Sequence, residues 1–236
     1  MRRAGAASKL ASSEPARPSA TGFGLTVAGD ARVIEQIWLV HPEAEMCEAF
    51  THRFAGLPGV RVVRGRFEDL GPHDCFVTAG NAFGLMTAGI DAAVIQRFGT
   101  SLMERVQFRI MDEYRGEQPV GTAFVVETGD PQIPFVAHAP TMRVPGSIAG
   151  TDKVYVATWA ALLAVQAHNQ ATDQKIVTVA LPAMGTGFGG VPFSEAARQM
   201  AAAYRHYLEP PHRLNWDVVA DRQKAICYDG NRLVAR

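Results

Sequence analysis

The stretch Lys175-Ile176-Val177-Thr178-Val179-Ala180-Leu181-Pro182-Ala183-Met184-Gly185-Thr186-Gly187-Phe188-Gly189-Gly190-Val191-Pro192 decides how this chain is read. Lys175 to Leu181 is a strand, apolar enough to be central in a sheet. It empties into small residues. A helix follows, capped by Ser194, with Ala197, Met200, Ala201, Tyr204 and Leu208 on its inward face. Small residues let backbone approach a ligand closely, and free N–H groups at the positive end of a helix attract an anion. A second segment has the same placement. Val77-Thr78-Ala79-Gly80-Asn81-Ala82-Phe83-Gly84-Leu85-Met86-Thr87-Ala88-Gly89-Ile90-Asp91 leaves the strand Cys75 to Thr78 and enters a helix running from about Asp91 to Phe98. One such loop reads as a plain turn. Two, each following a strand, favour a phosphate-bearing ligand held between them. No GK[ST] follows either loop, so neither is a Walker loop, and neither fits GxGxxG dinucleotide binding well, although Gly185, Gly187 and Gly190 carry that spacing.

The remaining chain alternates between two periods. Val33 to Val40, Val60 to Arg64, Thr122 to Glu127 and Phe135 to His138 read as further strands. Pro42 and Glu43 open a helix with Met46, Ala49, Phe50 and Phe54 on one face, stopped by Gly56, Pro58 and Gly59. Ser101 with Glu104 has capping-box spacing, and Leu102, Val106 and Ile110 follow on one stripe. Residues 139–151 form an irregular loop, after which Thr151 or Asp152 caps a helix carrying Val154, Ala157, Ala161, Ala164 and Val165. Trp216, Val219, Ala220 and Ile226 suggest a final helix. Strands separated by helices predict an α/β fold. The expected architecture is a three-layer α/β/α sandwich on a mixed, largely parallel six-stranded sheet, with ligands beyond the strand carboxyl ends.

Composition narrows the class. The chain has 236 residues, 47% apolar and 19% charged, a globular balance. Residues 1–24 carry Glu14 as their single acid and are rich in Ala, Ser, Arg and Pro. They read as a flexible tail, with an organellar transit peptide as the alternative. Residues 25–236 read as one domain with a C-terminal helical extension. Lys plus Arg balances Asp plus Glu at 23 each, which argues against non-specific nucleic-acid binding. Cys47, Cys75 and Cys227 form no CxxC pair, so neither a zinc ribbon nor a disulfide framework is indicated. No metal or cofactor is expected, and a reducing cytoplasm is the expected compartment. No apolar run approaches the roughly 20 residues that span a bilayer.

The paired loops resemble the signatures of the macrodomain family, an ADP-ribose-binding α/β/α module. Asn81 followed by Ala88-Gly89-Ile90-Asp91-Ala92-Ala93-Val94 resembles the first signature, and Pro182-Ala183-Met184-Gly185-Thr186-Gly187 with Gly190 and Pro192 resembles the second. Phe135-Val136-Ala137-His138-Ala139-Pro140 resembles the family's strand ending in a His. The resemblance covers about residues 33–208. It implies that Gly185, Thr186, Gly187 and Gly189 wrap the distal phosphate and ribose from one side. Thr87, Ala88, Gly89 and Ile90 would close on the diphosphate from the other, and Gly80 belongs to the same ligand-binding set. The Phe188 ring would stack on ribose or adenine, beside the plainer reading of an aromatic packed into a core. It makes Asn81 a ligand of the distal ribose hydroxyls, beside the plainer reading of an Asx turn closing its own loop. Asp91 would position a water at the anomeric carbon, beside the plainer reading of a helix-start carboxylate. His138 reads first as a hydrogen-bonded core histidine, and Arg205, His206 and Glu209 as a solvated helix face. Cys75 reads as core.

Three departures stand out. Where the family has an aspartate for the adenine amino group, this chain has Arg66, with Glu68 and Asp69 nearby. Thr78 replaces the first asparagine of the usual run, and the glycine triplet is reduced to Thr87-Ala88-Gly89. The implied function is binding of ADP-ribose or an ADP-ribosylated protein, with hydrolysis of the C1″ ester linkage by Asn81 and Asp91. The alternatives are a non-catalytic ADP-ribose reader and a ligand-free assembly protein on the same scaffold.

Overall fold

The computed structural model describes residues 34–229 and 232–233, so the tail expected over 1–24 lies outside the described residues. Period-two apolar runs become β1 (Gln36–His41), β2 (Val60–Arg64), β3 (Cys75–Thr78), β4 (Phe124–Glu127), β5 (Phe135–His138) and β6 (Thr178–Pro182). Period-3.6 runs become α1 (Ala44–Arg53), α2 (Gly89–Phe98), α3 (Thr100–Tyr114), α4 (Lys153–Ala171), α5 (Phe193–Leu208) and α6 (Trp216–Cys227). A 3-10 turn occupies Phe67–Asp69. After α6 the backbone of β7 (Tyr228–Asp229) pairs antiparallel with β8 (Arg232–Leu233), a ribbon the sequence did not announce.

The six main strands form one sheet in the order β2-β1-β6-β3-β5-β4. Every pairing is parallel except the edge strand β4, which runs antiparallel to β5. This is the mixed, largely parallel sheet expected from strands alternating with helices. Strand alternation sorts side chains onto two faces. Leu39, Cys75, Val77, Ala137, Val179 and Leu181 meet Met46 and Phe50 of α1, Ala157 and Leu162 of α4, and Met200 of α5. Val40, Phe76, Val136 and Ala180 meet Val94 of α2 and Leu102, Val106 and Ile110 of α3. Helices therefore cover both faces, and the three layers are complete.

One pairing positions the functional end. β3 and β6 are neighbours, with Cys75 opposite Val179 and Phe76 opposite Ala180. The helix fed by β3 lies on one face of the sheet and the helix fed by β6 on the other. The two departing loops must diverge, and a crevice opens between them at the strand carboxyl ends. The register is held from the opposite end by Asp74. Its Oδ2 accepts hydrogen bonds from the amides of Val177 and Thr178, each at 2.8 Å.

Several boundaries differ from the sequence expectation for local reasons. β6 starts at Thr178 rather than Lys175, because the amides of Ile176 and Val177 go to Asn169 Oδ1 and Asp74 Oδ2. β4 starts at Phe124 rather than Thr122, because the amide and hydroxyl of Thr122 both turn back to the Pro119 carbonyl. The expected Ser101 capping box is absent: α3 begins at Thr100 after Gly99, with no side-chain cap. Ser194 does not cap α5, which begins at Phe193 after Pro192. Ahead of α4, the Thr151 hydroxyl accepts from the Lys153 amide at 3.4 Å, and Asp152 makes no side-chain cap bond. His206 is not solvated as expected; it is half-buried and hydrogen-bonded to the Tyr155 hydroxyl at 3.0 Å.

Asp74→Ala leaves two amides at the start of β6 without their acceptor. The expected loss is about 1–3 kcal/mol, read as a lower urea midpoint at unchanged slope.

Candidate functional site

Every candidate residue of the two loops lines one cavity of about 490 Å³ at the carboxyl ends of β3 and β6. Gly80, Asn81, Thr87, Ala88, Gly89, Ile90 and Asp91 form one wall, and Gly185, Thr186, Gly187, Phe188 and Gly189 the other. Segments about a hundred residues apart in the chain are thus brought face to face by the β3–β6 pairing.

The second loop is built from close backbone approach. Val191 donates its amide to the Gly185 carbonyl at 3.1 Å and Gly190 to Gly187 at 3.0 Å. The Thr186 hydroxyl donates to the Ala183 carbonyl at 2.9 Å. These turns leave the amides of Gly187, Phe188 and Gly189 without a backbone acceptor among the described residues. Gly189 is obligatory, since a Cβ there would stand 2.3 Å from the Gly185 carbonyl oxygen. Gly187 differs: a Cβ there meets nothing within 4 Å. Phe188 is 62% exposed at the rim.

The first loop is closed by Asn81. Its Nδ2 donates to the Leu85 carbonyl at 2.9 Å, and its Oδ1 accepts from the amides of Phe83 and Leu85 at 3.1 and 3.3 Å. The Asx turn is therefore present. It engages both carbonyl lone pairs and leaves one amide hydrogen without a partner among the described residues. Past this turn, Gly89, Ile90 and Asp91 form the first turn of α2, where amides have no intrahelical acceptor.

Asp91 lies at the cavity floor, 5% exposed. Its Oδ1 is fully buried and has no hydrogen-bond partner. A helix N-terminus favours the carboxylate, but burial dominates and pushes this acid up to about 7. Beside it Gly80 is pinned by two groups. A Cβ on Gly80 would stand 2.6 Å from His138 Nε2 and 3.2 Å from Asp91 Oδ2. His138 is fully buried, and its Nδ1 lies 2.7 Å from Gln118 Oε1. It is a hydrogen-bonded interior histidine, held neutral because burial lowers it to about 4.

Other wall residues come from outside the two loops. Arg66 and Glu68 line the cavity, which settles where the Arg66 position falls. Asp69 does not reach the same role: its Oδ2 accepts from the Arg66 amide at 3.0 Å and closes the 3-10 turn. Thr141, Met142, Val144 and Pro145 come from the irregular loop 139–151. That loop is tied to the second glycine loop by the Ile148 amide, which donates to the Gly189 carbonyl at 2.8 Å. Proline and glycine content marked 139–151 as a loop; nothing local aimed it at the cavity. Gln118 carried no signal at all, since its partner is 20 residues away. No described helix is long and apolar enough to cross a membrane.

Comparison with known proteins gives a consistent answer. The Macro domain family model matches residues 77–200, which contain both loops. An uncharacterized protein of Aquifex aeolicus is 36% identical over 148 residues, covering 63% of this chain and 82% of that protein. Among solved structures, a mutant Oceanobacillus iheyensis macrodomain with ADPR superimposes with a TM-score of 0.50 at 21% identity, over 58% of this chain and 72% of that one. The Thermus aquaticus DarG macrodomain gives 0.50 at 23% identity, over 61% and 89%. With this fold, these two loops and this match across more than half its length, the chain belongs to the macro domain family.

Proposed function

We propose that this chain binds ADP-ribose in the cavity and hydrolyses the C1″ ester linkage of ADP-ribosyl adducts. One observation carries the reading: two glycine-containing loops that each lead from a strand into a helix wall a single cavity that the Asp91 carboxyl also lines. The first turn of α2 and the amides of Gly187, Phe188 and Gly189 hold the diphosphate and distal phosphate by backbone donors. Asn81 shapes the first loop and offers its remaining amide hydrogen to the distal ribose. Glu68, in place of the family's aspartate, accepts from the adenine amino group, and Arg66 stacks on the base or meets a phosphate.

In the reaction a water attacks C1″. The ester oxygen leaves with its bonding pair as a carboxylate. The proton released by the water passes to the Asp91 carboxylate. Asp91 works in its ionised form, so burial that holds the acid protonated near neutrality limits the working fraction at lower pH. The same burial favours a second reading, a non-catalytic reader, because a protonated Asp91 is a poor base and both Asn81 carbonyl lone pairs are engaged in the loop.

Gly187→Glu should abolish ADP-ribose binding in calorimetric titration while leaving the thermal midpoint unchanged, since the new Cβ enters open space and only the ligand meets the added bulk and charge. Unchanged affinity would remove this loop from the site. Turnover of an ADP-ribosyl ester, as kcat/KM, should rise with pH through about 7 as Asp91 ionises. Asp91→Ala should lower it by at least about 100-fold with binding retained. A wild-type protein that binds but releases no ADP-ribose at any pH establishes the reader.

Stability gives an independent check on the same carboxyl. The native state keeps the Asp91 proton up to about 7, whereas the unfolded chain releases it near about 4. The native state binds more protons in that window, so this group's contribution to stability falls as pH rises through it. Asp91→Asn should therefore gain in thermal midpoint over wild type progressively from pH 4 to pH 8, with little difference below pH 4.

A further inference from the structure

Behind Gly80 of the cavity wall lies a fully buried histidine, His138, that the proposed reaction has not used. Gln118 and His138 are both fully buried. The Gln118 amide nitrogen donates to the Thr122 carbonyl at 3.2 Å and, more weakly, to the His138 carbonyl at 3.5 Å. Its two hydrogens face acceptors, so its orientation is set, and Oε1 is left as the acceptor facing His138 Nδ1 at 2.7 Å. Nδ1 must then carry the ring proton. Nε2 is consequently a bare lone pair, buried and without a hydrogen-bond partner. It lies beside Gly80 on the same side as the Asp91 carboxyl, since a Cβ on Gly80 would stand 2.6 Å from Nε2 and 3.2 Å from Asp91 Oδ2.

We propose that Gln118 and His138 form a positioning pair that adds to burial in favouring the protonated form of Asp91: Gln118 fixes the Nδ1–H tautomer, and the Nε2 lone pair lies beside Gly80 on the same side as the Asp91 carboxyl. The physical cause is the imidazole dipole. Its negative end lies on the same side of Gly80 as the carboxyl, and both groups are buried, where dipolar interactions are strong. Glycine at position 80 is part of the device, since a side chain there would collide with both groups. The inference rests on the hydrolase reading only in giving that proton a use.

Other groups around Asp91 do not provide this control. Arg66 and Glu68 of the 3-10 turn and His41 at the end of β1 line the same cavity. On α3, Arg105 and Arg109 are turned to the carbonyls of Glu127, Thr128 and Val125 near β4. On α2 itself, Arg97 is engaged by Asp130 at 3.1 Å. Thr78 and Thr141 contribute neutral hydroxyls to the same buried neighbourhood. Desolvation is the cause of the Asp91 shift, with no charged neighbour contributing.

The test uses ligand-free, full-length protein and nuclear magnetic resonance. Nitrogen-15 spectra of labelled histidine report the tautomer of His138, and the carboxyl carbon-13 signal reports the titration of Asp91. The expected wild-type result is a protonated Nδ1 and a bare Nε2 across the neutral range. Gln118→Met, close in volume but without the amide acceptor, should shift the ring toward the Nε2–H tautomer. The Asp91 midpoint should fall by about one pH unit. A wild-type Nε2–H tautomer overturns the proposal even where the variant does not fold. An Asp91 midpoint unmoved in a folded Gln118→Met protein overturns it as well. Neither readout needs turnover, so the failure of the hydrolase reading shows separately, as a wild-type protein with the expected tautomer and no release of ADP-ribose.

Discussion

The parallel pairing of β3 with β6 is the constraint on which the rest of this molecule depends. Adjacent parallel strands whose following helices lie on opposite faces cannot close the space between their loops. That space is the cavity. Each loop leaves a buried strand and runs through ten residues along the cavity before its helix begins. Asp74 holds the same register from the other end of the sheet, so the geometry of the crevice is fixed by a contact that never touches it.

Small residues serve two separate purposes around this crevice. Gly189 and Gly80 are required by packing, since a Cβ at either would meet a carbonyl oxygen or a buried imidazole. Gly187 is not required by the fold, since a Cβ there would meet nothing within 4 Å, and that open space is what the proposed ligand would use. A run of glycines that looks uniform in sequence thus divides into structural and functional members. The same division applies to the carboxylates near the cavity. Asp69 is spent on a turn and Glu68 lines the wall, although they are neighbours in the chain.

Burial makes Asp91 costly to ionise. A helix N-terminus would ordinarily lower its proton affinity, and the interior raises it instead. Such a carboxyl is placed against the requirements of stability, which is the expected signature of a residue retained for chemistry or for ligand contact. His138 deepens the effect by presenting a lone pair rather than a proton on the same side.

Much of this was legible in the chain. Strand and helix periods, the two glycine loops and their place after strands are local patterns, and local patterns follow from backbone sterics and side-chain alternation within about fifteen residues. They sufficed for the layer architecture, for the candidate loops and for the family. Strand starts and helix caps were read less well, because the amides of Ile176, Val177 and Thr122 are claimed by partners that local propensity does not contain. The sequence by itself determined which segments form the six strands of the main sheet and the helices around it, and where the two glycine loops leave that sheet. Only the tertiary structure decided that the two loops share one cavity, that Arg66, Glu68 and Thr141 join its wall, and that Gln118 governs the histidine behind Asp91. Those juxtapositions arise from sheet order and burial, and both depend on contacts between residues far apart in the chain.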